Sequence, residues 1–253
     1  MNESGGLSFI VLLVAFVVTV LAISNNSRRK KRVLFRTMDS VERLPIIISS
    51  AMESGSPMHL GMSRVTIGTD TTLLTLAGAE WFYQTVKQLA IADPSPIISV
   101  SETATLPVAM DTLRRAYLAR NRISEYRAFR TRWIPSGDKN LTYAAALSAM
   151  TRDDDLGGHL LMGRWGHELA LVMDTAHQHR IPVLATSTRL EGQAVAYAMA
   201  PDTLIGEEIF GINAYLSDQK QFDGVNLATD TLRWIVVIIM VILFILIGVR
   251  GGG

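Results

Sequence analysis

The stretch Gly61-Met62-Ser63-Arg64-Val65-Thr66-Ile67-Gly68-Thr69-Asp70-Thr71-Thr72 sets glycine and hydroxyls directly ahead of a helical pattern. Backbone N–H groups at a helix start attract anions, because the helix dipole places about half a positive charge there. Gly68, Thr69, Asp70, Thr71 and Thr72 are therefore candidate ligand contacts. No Gly-Lys-Ser/Thr follows, so this is not a Walker A loop, and the dinucleotide fingerprint is absent. The same residues suit simple capping, with Asp70 or Thr69 accepting from the first-turn amides. An Asp70 carboxylate in that role competes with an anion.

A second candidate is Gly163-Arg164-Trp165-Gly166-His167-Glu168, where Arg164 and His167 stand near a helix start and can hold an anion. His167-Glu168 begins like a zinc-protease helix, but Leu171 occupies the position of the second ligand. His177 and His179 point to different faces of a helix and cannot chelate together. The adjacent Glu207 and Glu208 diverge by about 100° on a helix and do not form a general-acid pair. No nucleophile elbow occurs, and the chain has no cysteine, which excludes disulfides, thiolate nucleophiles and cysteine-held metals. No catalytic residue, metal ligand set or cofactor is assigned from the sequence.

Net charge is +1, so no global field selects for nucleic acid. Locally, Arg114 to Arg132 carries seven arginines against Glu125. Such a run suits either a solvated face or contact with anionic lipid.

Six short apolar runs position these candidates: 58–62, 97–101, 130–134, 159–163, 181–186 and 203–206. Helical patterns alternate with them: 71–92, one led by Pro107, 141–150, 167–179, 191–199 and 207–216. The 71–92 helix shows a polar stripe at Glu80, Gln84, Lys87 and Gln88, with Leu73, Leu76, Ala77 and Trp81 elsewhere. The helix led by Pro107 is expected to bury Leu106, Met110, Leu113 and Tyr117. An amphipathic helix over 39–53 precedes the set, with a strand at Ile46–Ile48 as its alternative. Strands alternating with helices predict an α/β fold: a doubly wound, mainly parallel sheet with helices on both faces. Ligands then sit beyond the carboxyl ends of the strands. The segments 63–72, 102–105, 135–140, 164–168, 187–193 and 207–208 fall there.

The chain ends call for a membrane. Residues 7–23 and 235–249 are uncharged and apolar, just long enough for transmembrane helices at about 1.5 Å per residue. The cations Arg28, Arg29, Lys30, Lys31 and Arg32 follow the first run, so they stay on the cytoplasmic side and contact the membrane surface. The expected organisation is a transmembrane helix at 7–23, a basic segment and amphipathic helix at 24–57, a cytoplasmic α/β domain at 58–217, a connector at 218–232 and a second transmembrane helix at 233–249. Both termini lie outside the bacterial inner membrane in this scheme. The lipid bilayer is one expected partner. The apolar load of 73–92 points to a homo-oligomer or a membrane-protein complex.

Three stretches, Thr71–Glu80, Asp111–Tyr117 and Leu204–Phe210, together with the terminal apolar run, resemble an uncharacterised family of bacterial membrane-anchored proteins, a domain of unknown function. The resemblance implies architecture and bacterial origin, and no activity. The expected function is a membrane-tethered binding or scaffold module. The alternative is binding or turnover of a small anionic, phosphorylated ligand at the strand ends. A polar pocket between Gly68–Thr72 and Gly163–Glu168 favours the alternative.

Overall fold

The computed structural model describes residues 39–200, 203–206, 208–210, 212, 234 and 236. Apart from 234 and 236 these belong to one compact unit, Arg36–Leu216. The apolar run 7–23, the cations Arg28–Arg32, the connector 218–232 and nearly all of 233–249 lie outside the described residues. Among the described residues, no helix is long and apolar enough to cross a membrane.

In chain order come α1 (Asp39–Ser54), β1 (Met58–Ser63), α2 (Thr72–Leu89), β2 (Ile97–Val100), α3 (Leu106–Ala119), β3 (Thr131–Trp133), α4 (Leu141–Asp153), β4 (Gly158–Gly163), α5 (Leu169–Gln178), β5 (Val183–Thr186), α6 (Leu190–Met199) and β6 (Thr203–Leu204). Each expected strand is present. The alternative strand at Ile46–Ile48 is not formed, because those residues belong to α1.

The strands make one six-stranded sheet in the order β3-β2-β1-β4-β5-β6, and every neighbouring pair is parallel. Parallel neighbours need a crossover, and the helices supply it. Helices α1, α2 and α3 cover one face, packing on Met58, Leu60, Met62, Ile98, Val100, Leu160, Met162 and Leu184. Helices α4, α5 and α6 cover the other, over Ile97, Leu161 and Ala185. Cover on both faces explains why β1, β2 and β4 are buried along their whole length and read as continuous runs. The sheet is the doubly wound one expected, and its strand order adds what the runs alone could not supply.

Two helix expectations change. Leu73 and Leu76 on α2 are exposed, while Gln84 is buried and donates to Glu80 Oε1 at 2.7 Å. The inward face of α2 is therefore Leu74, Ala79, Trp81, Phe82, Val86 and Leu89, rotated from the one the polar stripe suggested. On α3, Leu113 and Tyr117 are buried as expected, but Leu106 and Met110 are only half-buried, and Ala109, Thr112 and Ala116 complete the face.

The seven arginines of 114–132 are largely engaged with the protein itself. Arg120 Nε donates to Lys87 O at 2.7 Å, and Arg122 Nη1 donates to Ala90 O and Ile91 O. They thus satisfy carbonyls at the C-terminal end of α2, where cations are favoured. Arg115 pairs with Asp111 and lies over the Tyr83 ring, and Arg132 pairs with Asp154.

Candidate functional site

Helices α2 and α5, which follow the adjacent strands β1 and β4, pack on opposite faces, so their leading loops diverge. In an open α/β sheet this point of divergence is where a crevice forms. A polar cleft of about 300 Å³ opens there, lined by Arg64, Thr66, Thr69, Asp70, Thr71, Glu102, Arg164 and Arg189. It lies between the two segments that the sequence singled out.

Local geometry explains how four loops meet at one place. Arg64 adopts a left-handed backbone (φ 49°), which turns the chain sharply off the end of β1. Its N–H donates to Ser101 Oγ at 2.6 Å, and Thr105 Oγ1 donates to Val65 O at 2.5 Å, tying the β1 loop to the β2 loop. Gly163 ends β4 at φ 133°, and a Cβ there would sit 2.1 Å from Ser63 O. Only glycine lets β4 close on β1 and deliver Arg164, whose N–H donates to Ser63 O at 2.8 Å. Ser187 Oγ donates to Trp165 O and accepts from Arg189 N, which fixes the root of the third arginine.

Most amides of the β1–α2 loop are bonded within the loop. Thr72 Oγ1 accepts from Gly68 N and Thr69 N, Thr71 Oγ1 from Thr66 N, and Thr69 Oγ1 from Thr71 N. The Gly68, Thr69 and Thr71 amides are thus taken by the loop's own threonines. Asp70 does not cap the helix either. It pairs with Arg164, Oδ2 to Nη1 at 3.0 Å, in an exposed pair worth at most about 1 kcal/mol. Gly68 has φ 88°, a conformation that bars side chains whatever the free space.

Of the sequence candidates, the cleft gathers Thr69, Asp70, Thr71 and Arg164, whereas Gly68, Thr72 and the exposed His167 are outside its lining. Arg64, Glu102 and Arg189 were not singled out. Their loops fall at the strand ends, but nothing in loop sequence tells which side chain turns inward. Glu191, beside Arg189, has its carboxyl lowered, first by its own backbone N–H and then by the Arg189 charge.

The cleft's chemistry is electrostatic. Guanidinium groups stay charged and offer paired donors that match phosphate or carboxylate oxygens. Three of them face two carboxylates, so the lining carries a surplus positive charge. Arg64 has no ion-pair partner among the described residues, and its fork is available.

Below the cleft, on the α4 face, lies a buried polar chain absent from the sequence reading. His59 Nδ1 meets His159 Nδ1 at 2.9 Å, across the register pair His59–His159 of β1 and β4. His59 Nε2 meets Ser99 Oγ at 2.7 Å, and Ser99 Oγ meets Tyr143 OH at 2.7 Å. At the other end His159 Nε2 meets Thr151 Oγ1 at 2.9 Å. All five residues are buried. One ring proton per imidazole satisfies every link, from Tyr143 through Ser99 to His59, then His159, then Thr151, whose hydroxyl donates to Leu147 O. The reversed sense also closes, with Tyr143 donating to Ser99 O at 3.1 Å. Burial first, then His159 and Arg132, hold His59 well below its ordinary value, and burial pushes His159 down to about 4. Burial likewise raises the Tyr143 phenol. Nearer the cleft, the buried Asn140 donates to Ser63 Oγ at 2.7 Å and to Glu168 Oε1 at 3.0 Å, and Glu168 Oε1 also accepts from Gly166 N.

Among the described residues no three His, Asp or Glu gather as metal ligands. The sequence profile of one family, described as Domain of unknown function (DUF6754), matches residues 2–251. No curated protein and no solved structure matches the chain.

Proposed function

The chain belongs to the DUF6754 family, a domain of unknown function, and we propose that it is a membrane-tethered binding module whose α/β unit holds a small anionic ligand. The observation that carries this reading is the convergence of Arg64, Arg164 and Arg189, from three separate loops, on one cleft at the strand ends. A phosphate-bearing ligand fits best, because guanidinium forks recognise it in pairs. Binding frees Arg164 from Asp70, and the Thr66 hydroxyl in the lining stands ready as a further contact. The lining presents no nucleophile with a paired base, so the reading stops at binding and adds no turnover.

The test is thermal shift and calorimetry of the intact chain with inorganic phosphate, nucleotides and phosphorylated metabolites. Arg64→Ala should weaken the responding ligand by about 10- to 100-fold, as loss of a charged hydrogen bond does, with the fold intact. No response to any of these anions in the wild type would remove the ligand reading and leave a scaffold that acts through its surfaces.

Tethering rests on the apolar runs 7–23 and 235–249 and on Arg28–Arg32. In this reading the protein crosses a bacterial inner membrane twice, with the α/β unit in the cytoplasm and both termini outside. A homo-oligomer or a complex with other membrane proteins completes it. Single cysteines at Asn2 and Gly251 should label with an impermeant reagent in intact spheroplasts, and one at Asp138 should not. Labelling of Asp138 alone reverses the topology.

A further inference from the structure

The loops that build the cleft also expose large aliphatic side chains. Leu190 directly follows the cleft residue Arg189 and is 79% exposed. Leu73 is 74% exposed in the first turn of α2, just beyond Thr71, and Ile67 is 43% exposed between Thr66 and Thr69. Leu141, 51% exposed, opens α4 next to Asn140, whose amide joins the end of β1 to the start of α5. All stand beyond the carboxyl ends of parallel strands, so they share one edge of the unit. Four aliphatic side chains beside three guanidinia form an amphipathic rim. An apolar patch with cations among it has the composition of a surface that settles into a lipid interface.

Chain direction adds a second argument. Only Gly55–Pro57 separates α1 from β1, so the helix must run antiparallel to the strand. Ala51 packs beside Gly157 and Ile47 beside Gly158, so α1 begins on the side towards the strands' carboxyl ends. Arg28–Arg32 stand closely upstream of α1 in sequence, so the chain carries further cations suited to an anionic surface.

We infer that this rim is a bilayer-docking surface, on which Arg64, Arg164 and Arg189 engage the phosphates of anionic lipid headgroups while Ile67, Leu73, Leu141 and Leu190 enter the interface. This rests on the anion-binding reading of the cleft and names the source of the anion. The opposite edge also exposes Ile91, Ile123 and Phe129. Its neighbouring guanidinia of Arg120 and Arg122, however, are spent on the carbonyls that end α2, and the Arg122 charge is paired with Glu125. The cleft side instead gathers three guanidinia on one crevice: Arg64 has no ion-pair partner among the described residues, and Arg164 and Arg189 exchange the Asp70 and Glu191 carboxylates for a headgroup phosphate.

The chain contains no cysteine, so each introduced thiol is the sole labelling position. Leu73→Cys, Leu190→Cys and, at the opposite edge, Ile123→Cys variants of the full chain are labelled with an environment-sensitive dye. They are reconstituted into vesicles of phosphatidylcholine alone or with phosphatidylglycerol, with and without nitroxide-bearing lipid. Docking predicts a blue shift and several-fold quenching at 73 and 190 in the anionic vesicles. The effect should fall severalfold in neutral vesicles, in molar salt, and on adding Arg64→Ala with Arg189→Ala, while the dye at 123 stays in water. Quenching at 123 but not at 73 or 190 overturns the proposal, since the opposite edge then faces lipid. Equal quenching in neutral and anionic vesicles overturns the headgroup contact. If inorganic phosphate shifts the thermal midpoint but no dye is quenched, the cleft binds a soluble anion and docking fails alone. If neither responds, both readings fall.

Discussion

Side chains of β1 alternate between two chemistries. Met58, Leu60 and Met62 face α1, α2 and α3 in an apolar core, while His59, Gly61 and Ser63 face α4 and its neighbours, where the polar chain runs. The inward stripe of α4 follows suit: Asn140 at its start, Tyr143 and Thr151 are the partners of Ser63, Ser99 and His159. Dispersion and water exclusion hold the first face, which tolerates changes of shape within limits of volume. Hydrogen bonds hold the second, and they demand one register, because a slip leaves five buried groups unpaired. Both faces bury apolar cores, and the second adds hydrogen bonds that specify which arrangement is stable.

That division can be attacked from its stronger side first. Leu60→Ala should lose about 2–5 kcal/mol of unfolding free energy, equally at pH 5 and pH 8, by denaturant titration of tryptophan fluorescence. An apolar loss that varied with pH would mean that the two faces are coupled.

The polar face should respond to acid instead. His59 and His159 both have folded values below the ordinary 6.5, so below that pH the unfolded chain binds protons that the folded chain refuses. Stability is then full above about pH 6.5 and falls as pH drops towards the folded value, at up to about 1.4 kcal/mol per unit for each group. For His159, with its value near 4, the loss reaches on the order of 3 kcal/mol. The thermal midpoint followed from pH 8 to pH 4 measures it. Replacing both, His59→Leu with His159→Leu, should flatten the profile, because Ser99 keeps Tyr143 and Thr151 keeps Leu147 O.

A finer test sets one replacement against two. His159→Leu alone strands His59 Nδ1 and should cost about 1–3 kcal/mol at pH 8, more than the double replacement does. Equal losses would show that the imidazole contact contributes nothing. The smallest effect belongs to the cleft: Arg64→Ala should move stability by less than about 0.5 kcal/mol, since its guanidinium is exposed. A larger drop would make Arg64 a structural residue.

What could be read in advance divides along the same line. Apolar runs announce strands because cover on both faces demands them, and α/β alternation follows. Strand order does not, since it depends on which neighbours pair across long separations. The exposed Leu73 and Leu76 went unforeseen because a helix apolar nearly all round does not show which side turns inward. The polar chain escaped because a single histidine at the start of an apolar run carries no sign of the partner it meets across the sheet. Its signal was nonetheless present. His59-Leu60-Gly61-Met62-Ser63-Arg64 and His159-Leu160-Leu161-Met162-Gly163-Arg164 share one pattern, with histidines that meet below and arginines that reach one cleft above. Arg189 has no such echo, and only the fold of the β5 loop brings it in.

The register pair His59–His159 spans a sequence separation of 100. At ribosomal rates of about 5–20 residues per second, β1 waits roughly 5–20 s for β4 to be made. During that interval β2 can shield one edge of β1, but the other stays bare, an apolar strand open to neighbouring nascent chains. His59 interrupts the apolar surface of that waiting strand, and its pairing is completed only when β4 arrives with His159.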